Sequence, residues 1–296
     1  MEEEILELKR EKNALILAHN YQPIEIQAVA DVVGDSLEMA VRAEDATADL
    51  IVVCGVQFMA ETAKIINPER KVVIPVRDAG CPLAEQLTPA MIVEAKQRFP
   101  TAAVVVYVNS TAECKALADI TCTSANAVRV VRSLEEDEVI FGPDANLAAY
   151  VQRQVPEKRI IPTPPGGHCY VHTGFTAVDV TGARARGGRI VCHPECPAAI
   201  QEASDVIAST GGMVRCAADA DTWSVFTEKE MVTRLRVLYP EKTFYEKADA
   251  ICADMKKIAL ADLLRSLREE EYEVTLPDEI MERARGAIER MLAVTG

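Results

Sequence analysis

Short β-branched apolar runs recur along the chain: LILA (15–18), LIVVC (50–54), KVVI (71–74), VVVYV (104–108), EVIF (138–141), KRII (158–161) and RIVC (189–192). Between them lie stretches whose apolar residues return at helical spacing. Continuous apolar runs of this length, alternating with amphipathic helices, predict parallel sheets covered by helices on both faces. Briefer segments at 32–33, 120–121 and 206–207 read as short strands. The order strand, helix, short strand, helix, strand, helix, strand, cysteine loop then occurs three times.

The repetition extends to single residues. His19, Tyr107 and His193 each close an apolar run. An aspartate follows each after 12 residues (Asp31, Asp119, Asp205) and a hydroxyl residue after 17 (Ser36, Ser124, Thr210). A cysteine arrives after 62, 62 and 59 residues (Cys81, Cys169, Cys252). One domain has been copied twice. The expected fold class is α/β, with three pseudo-symmetric, three-layer αβα domains whose parallel sheets surround a central site. The expected boundaries are 1–86, 87–172 and 173–255, followed by a C-terminal helical segment, 256–296, that packs back on the first domain. That segment reads as a helix (IALADLLRSLRE), a short strand (YEVTL) and a helix over 277–292. A helix over Pro89–Arg98, capped by Thr88, links the first two copies. Ser36, Ser124 and Thr210 stand where helices begin and are candidate N-caps.

Composition narrows the partners. A chain of 296 residues exceeds one small core, and 49% hydrophobic residues suffice to bury several. The formal charge of −14 repels phosphate backbones, so no nucleic acid partner is expected. The N-terminus MEEEILELKREKN lacks the basic and apolar regions of a signal peptide. No apolar run approaches the ~20 residues of a membrane span, so a cytoplasmic protein without membrane contact is expected. Nine scattered cysteines suit reduced thiols and metal ligation better than a disulfide framework.

Open α/β sheets bind ligands at the carboxyl ends of their strands. His19, Asn20 and Tyr21 occupy that place in the first copy, Tyr107, Val108 and Asn109 in the second, His193, Pro194 and Glu195 in the third. A single His or Tyr there more often caps a sheet, but agreement among three copies favours function. Ser36, Ser124 and Thr210, with Ser209 beside the last, turn hydroxyls and helix amides toward the same centre, an arrangement that favours carboxylate or phosphate. Each helix end contributes ~0.3–1 kcal/mol to an exposed anion, too little for a difficult bond rearrangement. Three thiolates from three domains suit an iron–sulfur cluster with its fourth iron open to substrate. Zinc held by the same cysteines with His168 or His172 fits the spacing equally. Cys54, Cys114, Cys122 and Cys216 read as buried apolar thiols, and Cys192 and Cys196 as a weaker metal pair without counterparts in the other copies.

The segments LAHNYQ (17–22), ADVVGDS (30–36), VVVYVNSTAECK (104–115), CTSANA (122–127), GHCYVH (167–172), HPEC (193–196), STGGM (209–213) and CADMKK (252–257) together resemble the quinolinate synthase family of NAD biosynthesis. The resemblance spans nearly the whole chain. It implies one [4Fe-4S] cluster on Cys81, Cys169 and Cys252, with one iron open. It also implies condensation of iminoaspartate with dihydroxyacetone phosphate to quinolinate, phosphate and water. His19, Ser36, Tyr107, Val108, Asn109, Ser124, His193, Pro194, Glu195, Ser209 and Thr210 would contact substrate or product. Tyr21, Glu195 and His193 are the implied catalytic groups, with Glu195 as acid/base and Tyr21 at the triose phosphate end. An iminoaspartate-producing enzyme would be the supplier. Tyr170 stands where the family often has proline, and Cys252 lacks the extra cysteines some members carry nearby. Two other functions share these features: a zinc-bearing dicarboxylate sensor, and an iron–sulfur hydro-lyase acting on a preformed hydroxy acid. For the condensation in a closed cavity, entry requires one domain to open, and the glycines at 166–167 and 187–188 are the expected hinges.

Overall fold

The three copies become three parallel four-stranded sheets. The structure is a computed structural model that describes residues 1–44 and 47–295; Asp45, Ala46 and Gly296, and the Thr295 side chain, lie outside the described residues. The first sheet contains β1 (Ala14–His19), β2 (Val32–Gly34), β3 (Leu50–Cys54) and β4 (Lys71–Val73), in the order β2-β1-β3-β4. The second contains β5 (Ala103–Tyr107), β6 (Ile120–Cys122), β7 (Glu138–Gly142) and β8 (Arg159–Pro162), in the order β6-β5-β7-β8. The third contains β9 (Arg189–Cys192), β10 (Val206–Ile207), β11 (Thr222–Phe226) and β12 (Thr243–Tyr245), in the order β10-β9-β11-β12. Every pairing within them is parallel. Helices flank each sheet, so β3 and β5 are buried at every residue, and this is why their sequences are unbroken apolar runs. The α/β, three-sheet architecture read from the sequence is the one observed.

The recurring aspartate serves the fold. Asp31, Asp119 and Asp205 accept hydrogen bonds at Oδ2 from the backbone N–H of Ile16, Val104 and Ile190, at 2.9, 2.7 and 2.7 Å. Each aspartate N–H bonds the carbonyl of that same residue at 2.9 Å. The first strand of each sheet is thereby pinned to the turn that opens its short neighbour. Eight residues beyond His19, Tyr107 and His193, a long polar side chain pins the other end. Gln27 and Gln201 donate to the carbonyls of Gln22 and Cys196, and Lys115 donates to that of Ser110.

Several local expectations are corrected. In the first and third copies the helix cap sits one residue before the expected hydroxyl, whereas in the second copy the helix Ala127–Ser133 starts after Asn126 and Thr123 closes the turn that precedes it. Asp35 accepts from Leu37 N and Glu38 N, Thr123 Oγ1 from Ala125 N, and Ser209 Oγ from Gly212 N. In those two copies the shorter reach to the helix amides belongs to the preceding residue, which leaves Ser36 and Thr210 to face inward. No strand forms at YEVTL: Glu270 and Tyr272 adopt positive φ of 53° and 57°, and only Glu273 bridges to Val73. β11 and β12 lie outside the apolar runs because Thr222, Ser224 and Thr243 interrupt them. Thr88 does cap Pro89–Arg98, accepting from Met91 N.

The C-terminal segment meets two units rather than the first alone. Helix Leu260–Glu269 packs on helix Glu2–Glu11 and β3, whereas helix Asp278–Thr295 lies across β6 and helices Ala112–Lys115, Ala127–Ser133 and Gln57–Ile66. One apolar core consequently runs through the first two units and this tail, including Val52, Phe141 and Ile288. The third unit has its own apolar clusters around Ile190 and Phe226 and around Trp223 and Leu235; Val171 of the second unit joins the former and Tyr21 of the first packs on the latter.

Candidate active site

The carboxyl ends of β1, β5 and β9 point at one cavity. His19, Tyr21, Ser36, Tyr107, Asn109, Ser124, His193, Glu195 and Thr210 line it, together with Cys81, Cys169 and Cys252. Among the described residues the lining contains no lysine or arginine. Three sequence candidates lie off the lining. Val108 is buried with its N–H on Cys122 O, Pro194 gives its carbonyl to Gln201, and Ser209 caps its helix.

Two histidines are fixed as neutral donors. Tyr21 N donates to His19 Nδ1 at 3.2 Å and Glu195 N to His193 Nδ1 at 3.3 Å, so the ring proton of each sits on Nε2. Burial holds His19 down at about 4 and His193 down at about 3. His193 Nε2 reaches Ser124 Oγ at 3.2 Å, and Asn20 Nδ2 donates to Thr210 Oγ1 at 2.9 Å. Asn109 Oδ1 is buried without a hydrogen-bond partner, an acceptor aimed at a missing donor.

A polar chain crosses the cavity wall. Tyr21 OH lies 2.5 Å from Thr227 Oγ1, which lies 2.8 Å from His172 Nε2. His172 Nδ1 is 2.7 Å from Glu195 Oε2, and Tyr107 OH donates to Glu195 Oε1 at 2.7 Å. The His172 and His193 rings stack with centroids 4.5 Å apart. Burial opposes ionisation of Glu195, but His193, His172 and the Tyr107 hydroxyl outweigh it and hold the carboxyl at about 2. Burial, then the Glu195 charge, pushes both Tyr21 and Tyr107 well above the usual phenol range. Tyr107 is hydrogen-bonded to the Glu195 carboxylate and Tyr21 is linked through Thr227 to His172, whose Nδ1 lies close to Glu195 but makes no hydrogen bond to it, so a proton relay needs only that one contact to align.

The cysteines occupy equivalent loops after β4, β8 and β12. Backbone N–H groups from the turn that follows point at each sulfur: Leu83 and Ala84 at Cys81, Val171 and His172 at Cys169, Met255 at Cys252. All three thiols are free. Burial pushes Cys81 up to about 12 and raises Cys169 and Cys252 as well, so a bound metal is what would hold them as thiolates. Ligand atoms of Cys169, His172 and Glu195 also lie within 4.8 Å of one another. His168 is exposed, with its Nδ1 on Gly166 O.

Sequence reasoning missed four residues here. Thr227 joins Tyr21 to His172. Asp144 and Glu228 are buried where helices follow β7 and β11; Asp144 caps its helix by accepting from Leu147 N, and Glu228 accepts from the N–H of Cys252. Glu228 also pairs with Lys256 at 2.9 Å. Asp35 is the fourth. A usable signal was the shared register of Asp144 and Glu228, since Ala145 N and Lys229 N bond the matching carbonyls of Gly167 and Ala250.

A family model described as "NadA: Quinolinate synthetase A protein" matches residues 3–293. The chain belongs to that family. It is 56% identical to the quinolinate synthase of Pyrococcus furiosus, over 100% of this chain and 98% of that protein. It is 50% identical to the quinolinate synthase of Methanocaldococcus jannaschii, over 99% and 98%, and 45% identical to that of Thermotoga maritima, over the full length of both. The chain is therefore an enzyme, and its family role lies in NAD biosynthesis. Among the described residues no helix is long and apolar enough to cross a membrane.

Proposed function

We propose that this enzyme acts in the cytoplasm as a transferase that condenses iminoaspartate with dihydroxyacetone phosphate to quinolinate. Atom balance releases one phosphate and two waters. In this reading Cys81, Cys169 and Cys252 hold one [4Fe-4S] cluster, and an iminoaspartate-producing enzyme supplies the first substrate. The observation that carries it is the meeting of three equivalent cysteine loops on a cavity whose other walls bear neutral donors and a carboxylate. Each sulfur already faces backbone N–H groups, the surroundings that iron–sulfur ligands favour. When bound, the open iron supplies Lewis acidity for loss of water from carbon.

The protein's own groups divide the remaining work. His19 Nε2–H and the hydroxyls of Ser36, Ser124 and Thr210 hold the substrate carboxylates, and Asn109 Oδ1 accepts from the nitrogen of iminoaspartate. Neutral donors suit a dianion that must be released again as product, because no buried cation clings to it. Glu195, as an anion, takes a proton from carbon. The chain through His172 and Thr227 to Tyr21 returns protons at the triose phosphate end. The enclosed cavity keeps water from hydrolysing the imine.

Anaerobically purified protein should be brown, contain iron and sulfide, and form quinolinate only when both substrates are supplied. The Cys169, His172 and Glu195 group favours a second reading, a single metal ion at that place. Zinc without sulfide would select it and defeat the cluster assignment.

A further inference from the structure

We propose that Asp35 is a positioning residue whose carboxylate ties the start of helix Ser36–Glu44 to the start of helix Thr210–Cys216, and so sets the spacing of the Ser36 and Thr210 hydroxyls between which a dicarboxylate is held. The inference rests on the functional reading above and concerns how this chain achieves it without a cationic side chain in the cavity.

Asp35 is 7% exposed. Its Oδ1 accepts from Leu37 N and Glu38 N of its own helix, both at 3.0 Å. Its Oδ2 crosses to the third unit, accepting from Ser209 Oγ at 3.0 Å and Gly211 N at 3.3 Å. One buried carboxylate therefore caps two helices from two units. The approach is close: a Cβ at Gly211 would fall 2.7 Å from Asp35 Oδ2 and 2.9 Å from Glu38 Oε1. A side chain at 211 would push against both carboxylates and move Asp35 Oδ2 off that amide.

Comparison of the copies separates this bridge from ordinary capping. Sixteen residues beyond His19, Tyr107 and His193 stand Asp35, Thr123 and Ser209. Thr123 and Ser209 bond amides of their own turns and helices. Only the first copy carries a second acceptor oxygen, and it is the one spent on the third unit. The setting explains the need. A shared apolar core and helix Asp278–Thr295 join the first and second units, whereas the third unit centres its main clusters on its own sheet and touches the first through Tyr21 and through helix Glu230–Leu238 against helix Ile24–Val29. Polar contacts add to this at the cavity, and Asp35 supplies two of them.

The test uses the anaerobic, cluster-loaded enzyme and two probes, pyridine-2,3-dicarboxylate and pyridine-2-carboxylate, titrated calorimetrically. Asp35→Ser keeps the local cap that serves the third copy but cannot span the seam. It should weaken the dicarboxylate by roughly tenfold or more, the worth of one to two charge-assisted hydrogen bonds, and the monocarboxylate by less than about threefold. KM for iminoaspartate should rise more than kcat falls. Gly211→Ala, which leaves Asp35 in place and moves the amide off it, should give the same selective loss and serves if the serine variant does not fold. Wild-type dicarboxylate affinity in both variants, or equal loss for the two probes, would overturn the proposal. Wild-type enzyme that binds neither probe and makes no quinolinate would overturn the functional reading itself, and the proposal with it.

Discussion

Acidification from pH 7 to pH 5 should destabilise this protein through two particular histidines. His19 and His193 have folded-state values near 4 and 3 against 6.5 for a free imidazole. The sign follows from linkage. Between the folded and unfolded values the unfolded chain binds more protons, so stability falls as pH falls through 6.5 and keeps falling toward 4 and 3. The structural reason is that protonation would place a hydrogen on each Nδ1, facing the backbone N–H of Tyr21 and Glu195. At pH 5 an unfolded histidine is mostly charged while both buried rings remain neutral, and each then costs about 2 kcal/mol relative to pH 7. Together they cost about 4 kcal/mol, which at roughly 2–4 °C per kcal/mol lowers Tm by about 8 °C or more. Glu195, held near 2, adds a further loss only below pH 4.5. Thermal unfolding followed by circular dichroism at both pH values reads the effect. His19→Gln and His193→Gln should each remove about 2 kcal/mol of the drop, since the carboxylates contribute equally to wild type and variants. An identical pH 7 to pH 5 decrease in wild type and the double variant would refute the assignment of buried neutral imidazoles.

Three other outcomes can be checked directly. Glu195→Gln should retain iron and sulfide yet lower quinolinate formation by about 100-fold or more, because an amide cannot take the proton; turnover within threefold of wild type would remove Glu195 from the reaction. Asp119→Ala strips Val104 N of its acceptor and should cost about 1–2 kcal/mol in urea unfolding with KM unchanged, which separates the recurring aspartate from the site. Tyr170 OH accepts from Ala253 N at 2.8 Å and also bonds the Cys252 sulfur, so it joins two cysteine loops. Tyr170→Phe should accelerate loss of visible absorbance in air, and an unchanged decay rate would count against that link.

Much of the fold was legible because its signals are local. Apolar runs at strand length, helical spacing between them and a register repeated three times predicted the sheets without any long-range information. The same register brought out His19, Tyr107, His193 and the three cysteines, which do converge on one cavity. It also singled out Asp31, Asp119 and Asp205, whose task turned out to be pinning strands. Hydroxyl spacing alone does not separate a capping residue from its inward-facing neighbour: the caps are Asp35, Asn126 and Ser209, not Ser36, Ser124 and Thr210.

The chain's periodicity was enough to establish the α/β class, the triplication and the pool of chemical groups, since those properties depend on residues a few positions apart. Folding in three dimensions decided which of those groups touch. Thr227 meets Tyr21 across 206 positions and Asp35 meets Ser209 across 174, while helix Asp278–Thr295 settles over the first two units. Such contacts arise from the packing of separate units, and the angle at which one sheet faces another leaves no periodic trace in a sequence.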